Sequence, residues 1–240
     1  MLRSPAWAQF WAIVRVLAAL AGLCAIVTQL IRTVSNAETA GQPVGTVVAN
    51  FLSFFTIQSN VAAAATLTIG AILFWTRGRT TGAEPRWFAV LLACVTTYMV
   101  ITGIVYNLLL RGIALPQGET VEWANEVMHV VVPIVLLLDL FLAPRRRPLP
   151  WRAVWIIVVY PIAWVVYTLV RGPLVTSPGN GAPYWYPYPF LNPNNPALEP
   201  PGYGGVAVYV VAIAAGIIVV GLLVVWVGRR RTSRAARTAQ

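Results

Sequence analysis

The chain has 240 residues, 58% of them hydrophobic and 10% charged, with a net charge of +10 carried by 17 Arg and no Lys. A soluble domain of this length needs far more charge to cover its surface, so the composition excludes one and points to the membrane class. The arginines sit at the ends of apolar runs, where topology control and contact with anionic lipid headgroups explain them better than nucleic-acid binding does.

Six apolar runs follow in order, approximately Trp7–Ile31, Asn50–Trp75, Trp87–Leu110, Trp123–Leu142, Trp151–Val170 and Gly204–Val227. Each is near the ~20 residues that cross ~30 Å of hydrocarbon, and backbone groups in lipid must be satisfied within the segment, so these are expected to be helices. Trp75, Trp87, Trp123 and Trp151 mark span ends as an aromatic belt does. The expectation is an all-α, single-domain, six-span bundle with an extracytoplasmic loop at 171–203 and a basic tail at 228–240.

The first run holds Arg15. Asp139, near the end of the fourth run, is its candidate partner if the helix starts at Trp7. The preferred reading is that Pro5–Val14 lies along the interface and Arg15 snorkels to headgroups, because Val16–Ile31 is nearly long enough to span alone. Cys24 and Cys94 lie at different depths and read as two small buried hydrophobes. The first run has no signal-cleavage pattern and reads as a retained anchor.

Orientation follows from arginine. Arg3, Arg77, Arg79, Arg86, Arg145, Arg146, Arg147, Arg152, Arg229, Arg230, Arg231, Arg234 and Arg237 fall on one side, against Arg32, Arg111 and Arg171 on the other. That places both termini in the cytoplasm of a multi-pass cell-membrane protein.

The second run opens with polar residues at Ser53, Thr56 and Asn60, spaced to share one helical face about two turns below the outer surface. The third brings Tyr106 and Asn107 to that depth. The fourth carries Asn125, Glu126 and the only histidine, His129, with Pro133 expected to kink the helix and free the His129 carbonyl. The fifth adds Tyr167 and Thr168, and Pro161 is expected to free the carbonyl of Ile157. The long loop between Arg171 and Tyr203 holds nine prolines and the run Tyr184-Trp-Tyr-Pro-Tyr-Pro-Phe190. Its length and aromatic density read as a lid over the outer mouth.

Ionisable groups inside lipid are functional candidates by default. Three chemistries can use these parts. A hydroxyl beside an imidazole serves nucleophilic catalysis, with Thr56 attacking, His129 taking the proton, Glu126 or Asn125 orienting the ring and Asn60 or Asn107 holding an oxyanion. A metal site would have one His and two carboxylates, an incomplete set. A proton-coupled or ligand-sensing pocket would titrate His129 and Glu126. The structural alternative is an interhelical clamp of Gln58, Asn60, Asn107 and His129. No cofactor motif is present.

Phe55-Thr56-Ile57-Gln58-Ser59-Asn60, the Asn125–His129 segment with its following proline and Asp139, and Tyr186-Pro187-Tyr188-Pro189-Phe190 resemble the FAR-17a/AIG1-like family of six-span membrane proteins. The family includes the androgen-induced and androgen-dependent TFPI-regulating proteins, and bacterial chains of this type carry the label Pr6Pr. The specific likeness covers about 25 residues. Animal members are threonine hydrolases of fatty-acid esters of hydroxy fatty acids. The resemblance implies that Thr56 is a nucleophile and His129 its base, acting on a long-chain lipid ester. Asn60, Tyr106, Asn107, Asn125, Glu126, Tyr167, Tyr188 and Phe190 are then the expected substrate-binding set. The alternative is a non-enzymatic lipid or small-molecule binder using the same pocket.

Overall fold

The structure is a computed structural model that describes residues 4–76, 83–113 and 120–237. Arg3, Arg77 and Arg79 of the orientation count lie outside these residues. Among the described residues the protein is all-helical, and six helices are long and apolar enough to cross a membrane.

The first span, α1 (Pro5–Thr39), starts with Ser4 as N-cap, its hydroxyl accepting from Trp7 N, and with proline in the first turn. Both features are favourable at a helix start. A short helix, α2 (Val44–Ser53), leads into the second span, α3 (Phe55–Thr76). The third is α4 (Arg86–Val105), continued by a wide π turn at Tyr106–Leu110. The fourth is assembled from α5 (Glu122–Glu126), a second π turn at Val127–Val131, and α6 (Val132–Leu142). The fifth is α7 (Ala153–Arg171) and the sixth α8 (Tyr203–Arg237).

Helix α1 packs along α3, α3 on α4, and α4 on α6 and α8, with α7 against α8. Outward-facing residues such as Leu17, Val27, Val159 and Val211 are exposed and apolar along the whole bundle. Contiguous apolar surface on this scale marks a membrane-facing wall. Cys24 belongs to that exposed wall rather than the interior, whereas Cys94 is buried.

An even number of crossings brings both ends of the chain to one face, here termed the terminal face. Three contacts tie it together: Trp7 Nε1 donates to Leu142 O at 3.0 Å, Arg229 to Leu149 O at 3.1 Å and Arg231 to Leu140 O at 2.6 Å.

Arg15 does not snorkel. Helix α1 runs unbroken through it, and the guanidinium is buried against Asp139 at 2.7 Å and Glu84 at 3.1 Å. Asp139, fully buried, also takes Arg146 at 2.5 Å. Removing two ions from water is repaid only when both are paired and hydrogen-bonded, and that requirement selects the pair over the interfacial helix. Burial pushes the Glu84 carboxyl above its usual range, with Arg15 pulling the other way.

The guanidinium passes over Gly70 of α3, where an added Cβ would lie 2.8 Å from Arg15 Nη1 and 2.8 Å from Phe88 Cζ. Gly70→Ala is therefore expected to displace Arg15 from its carboxylates and destabilise the fold by ~1–3 kcal/mol. Thermal unfolding in detergent checks this, and an unchanged midpoint would contradict the tight passage.

Both prolines inside spans leave carbonyls that other side chains satisfy. Pro161 gives no N–H to Ile157 O, and Tyr98 Oη donates to that oxygen at 2.8 Å. Before Pro133 the helix is wound one residue wide, with Val132 N bonding Val127 O. In that register Pro133 also leaves Met128 O without a backbone donor, and Asn60 Nδ2 donates to it at 3.2 Å.

Candidate active site

Thr56 was expected two turns down a continuous helix. Instead the chain breaks at Phe54, which is extended (φ −67°, ψ 130°), and Thr56 is the second residue of α3. The first N–H groups of a helix have no intrahelical acceptor and carry the positive end of its dipole. Thr56 thus brings a hydroxyl and an uncommitted N–H to the same place. The break also separates Ser53 from Thr56. Ser53 Oγ bonds Ala49 O at 2.7 Å and Tyr167 Oη at 2.9 Å, while Trp164 Nε1 donates to Ser53 O at 3.0 Å. Tyr167 and Trp164 pin the end of α2, and Tyr167 has no bond to Thr56.

His129 lies in the π turn of the fourth span, 7% exposed, with Nε2 3.2 Å from Thr56 Oγ1. Its Nδ1 is 2.9 Å from the backbone oxygen of Asn125. A carbonyl only accepts, so Nδ1 carries the proton and neutral Nε2 is the acceptor. The Thr56 hydroxyl must then donate to Nε2. Tyr188 Oη sits 3.2 Å from both Thr56 Oγ1 and Thr56 N. It accepts from the N–H and donates to Oγ1. One directed chain results: Thr56 N–H to Tyr188, Tyr188 O–H to Thr56 Oγ1, Thr56 O–H to His129, and His129 Nδ1–H to Asn125 O. Burial pushes the Tyr188 phenol above its ordinary range, with its bonds to Thr56 opposing.

The imidazole is also held from its face. The Tyr106 ring stacks on it with centroids 3.9 Å apart, and the Arg111 guanidinium lies over that ring at 5.0 Å. Asn125 Nδ2 donates to Tyr106 Oη. Asn125 therefore orients the histidine twice, through its own carbonyl and through the ring behind it. The wide turn brings Gly103 of α4 close beneath, where an added Cβ would stand 3.1 Å from His129 O.

Glu126 does not orient the imidazole. It is exposed and pairs with Arg111 at 2.7 Å, because a solvated carboxylate next to a free guanidinium loses less hydration than one turned toward a buried ring. Asn107 is likewise exposed, its amide on Gly103 O and its oxygen on Arg111 Nε, away from Thr56. Asn60 is buried, but both of its N–H contacts go to carbonyls, Thr56 O at 2.9 Å and Met128 O, so it fixes α3 to the π turn and has no donor left for an oxyanion. Gln58 turns outward to Leu52 O and Tyr160. The four residues of the interhelical clamp do not form one network. No group of three or more His, Cys, Asp and Glu side chains able to hold a metal occurs among the described residues.

The loop after α7 packs into the bundle. Trp185, Tyr186, Tyr188, Phe190 and Leu191 are all buried with Phe54 and Tyr106 in one hydrophobic cluster. Phe190 stacks on Tyr188 at 5.2 Å, and Phe54 meets it edge-on at 5.4 Å. Gly172 is required where Tyr186 crosses, since an added Cβ would fall inside that ring.

Thr56 stands between two cavities. One, about 230 Å³, is walled by α4, α7 and α8 with Ile101, Val105, Val165, Phe190 and Ile213, and its polar wall is little more than Thr56, Thr102 and the tyrosine hydroxyls. Its rim includes Trp155 and Ile162, which are 69% and 55% exposed on the outer wall. The other, about 40 Å³, lies on the histidine side among Gln29, Thr120, Asn125, His129 and Tyr188. That volume admits about one water beside polar partners.

Comparison with protein families, with curated proteins and with solved structures finds no match.

Proposed function

We propose that the protein is a membrane-embedded lipid ester hydrolase with Thr56 as nucleophile and His129 as general base. The observation that carries this is the directed hydrogen-bond chain ending on Asn125, with the attacking oxygen at the wall of an apolar cavity. Thr56 Oγ1 attacks the ester carbonyl carbon while its proton passes to His129 Nε2. Once Oγ1 has bonded to carbon, the Tyr188 hydroxyl turns from it to the oxygen that becomes negative, joined by the Thr56 N–H at the start of α3 that Tyr188 then releases. His129 then protonates the departing alkoxide, leaving an acyl-threonine. Water in the small cavity gives its proton to His129 and attacks, releasing the acid and restoring Thr56.

The acyl chain is assigned to the 230 Å³ cavity, which a long-chain ester enters sideways between α7 and α8, past Trp155 and Ile162. This reading agrees with the resemblance of the Thr56, His129 and Tyr188 segments to the FAR-17a/AIG1-like family, and we propose that kinship. The arginine distribution supports cytoplasmic termini and a site in the outer leaflet.

Hydrolysis of a panel of long-chain lipid esters by purified protein in detergent tests the proposal. Turnover that rises with acyl length supports it. An inert wild type that still retains lipid favours a non-enzymatic lipid binder using the same pocket. Tyr188→Phe keeps the ring and removes one oxyanion donor, so kcat is expected to fall about 10²–10³-fold with KM little changed. An unaltered kcat would remove Tyr188 from the chemistry.

A further inference from the structure

At the terminal face, on the opposite side of the bundle from Thr56, a further cavity of about 290 Å³ lies between the start of α1, the end of α3, Glu84 and Arg145. Unlike the site cavity, it is lined by charge. Three of its lining residues each carry a buried polar atom with no hydrogen-bond partner among the described residues: Trp11 Nε1, Arg145 Nη1 and Glu84 Oε2. Trp11 is 4% exposed and the Glu84 side chain 10%. Buried polar atoms left without partners are rare and need a ligand or water to account for them.

The positions of these atoms are strongly determined. Arg145 adopts a left-handed conformation (φ 65°), uncommon outside glycine and found where the surroundings enforce it. Its carbonyl accepts from Glu84 N at 3.0 Å, and its guanidinium rests over the Phe74 ring at 5.5 Å. Glu84 is held through its other oxygen by Arg15, so Oε2 remains directed elsewhere. Among the described residues Arg15 and Arg146 share the carboxylates Glu84 and Asp139, and with Arg145 beside them positive charge is in excess.

Two unmatched donors beside an excess positive charge ask for an oxyanion, and one unmatched carboxylate oxygen asks for an N–H donor. A phosphate ester carrying a primary amine answers both. We propose that this cavity binds an aminoethyl phosphate headgroup, its phosphate on Trp11 Nε1 and Arg145 Nη1 and its ammonium on Glu84 Oε2. The group reaches the cavity as a membrane aminophospholipid or as a soluble phosphoester of the same chemistry.

Native mass spectrometry of the delipidated full-length protein, given equimolar phosphatidylethanolamine, phosphatidylcholine and phosphatidylglycerol with identical chains, tests this. Phosphatidylcholine keeps the phosphate and has no N–H, while phosphatidylglycerol keeps the phosphate and has no cation. Phosphatidylethanolamine is expected to be retained at least about fivefold over each, a difference of about 1 kcal/mol. Glu84→Gln is expected to erase the preference, because the amide presents a donor where an acceptor is needed, whereas Trp11→Phe removes a contact to the phosphate that all three lipids share and is expected to weaken the retention of all three. Arg145→Gln, which also touches only the shared phosphate, is expected to weaken the retention of all three and keeps the test open if Glu84→Gln fails to fold. Displacement by glycerophosphoethanolamine identifies the soluble head as an occupant; failure to displace identifies the lipid. Equal retention of the three lipids, stronger retention of phosphatidylglycerol, or total retention unchanged in Trp11→Phe overturns the proposal and leaves a cavity filled by water.

Discussion

Thr56→Ala is expected to reduce ester hydrolysis by about 10⁴-fold or more, and His129→Ala by about 10²–10⁴-fold, with the folded protein retained in both. The reason lies in the directed chain of hydrogen bonds. Thr56 Oγ1 has one acceptor for its proton, His129 Nε2 at 3.2 Å, and no carboxylate stands within reach to replace it among the described residues. Groups that act as a unit are not additive. The double variant Thr56→Ala/His129→Ala is therefore expected to be no slower than the worse single one. Initial rates on the best ester of the panel, with circular dichroism as the fold control, check the set. A double variant slower by the product of the two single effects would mean that the residues act separately, against the shared proton transfer.

The second large effect is structural and lies at the other end of the molecule. Asp139→Ala strips Arg15 and Arg146 of their shared carboxylate, while Glu84 still holds Arg15 at 3.1 Å. Removing one partner of a buried ion pair leaves an uncompensated charge and is expected to destabilise by ~3–5 kcal/mol. Arg15→Ala leaves Asp139 with Arg146 and leaves neither oxygen of Glu84 a side-chain partner, and is expected to cost about as much. Replacing Arg15 and Asp139 together with apolar residues of similar volume is expected to recover only part of the loss, because Arg146 and Glu84 then remain buried without their partners. Unfolding midpoints of the two single variants and the double variant, measured in one detergent, decide it. A double variant as unstable as the sum would show that the pair contributes net stability rather than mutual neutralisation.

The spans were legible because lipid demands ~20 apolar residues per crossing and nothing else in the chain competes with that pattern. The pairing of Arg15 was legible too. Ser4 and Pro5 form a good helix start, which makes α1 continuous, and two opposite charges at the same depth should find each other. Snorkelling competes only if the helix begins after Arg15, and the Ser4–Pro5 start removes that condition. The break at Phe54 has no local signal, since Ser53-Phe54-Phe55 contains neither glycine nor proline. It is held from α7 by Trp164 and Tyr167. The π turns are similarly tertiary, set by a close approach at Gly103 and by Asn60 supplying the donor that Pro133 lacks. Equal depth brought Thr56 and His129 to one level on paper, yet depth says nothing of rotation about the helix axis. It therefore placed Asn107 and Glu126 in the site, where the bundle turns them outward. Tyr188 stood out only as one aromatic among several in its loop. That its hydroxyl closes the circuit on Thr56 follows from how the loop folds into the bundle.

The most direct measurement is covalent. Wild-type protein treated with a long-chain fluorophosphonate, digested and mapped by mass spectrometry, is expected to carry the phosphonyl group on the peptide containing Thr56, with fluoride displaced by Oγ1. His129→Ala is expected to lose the adduct. Wild type that reacts nowhere, or that reacts at Thr56 equally well without His129, would contradict the assignment of Thr56 as a nucleophile activated by His129.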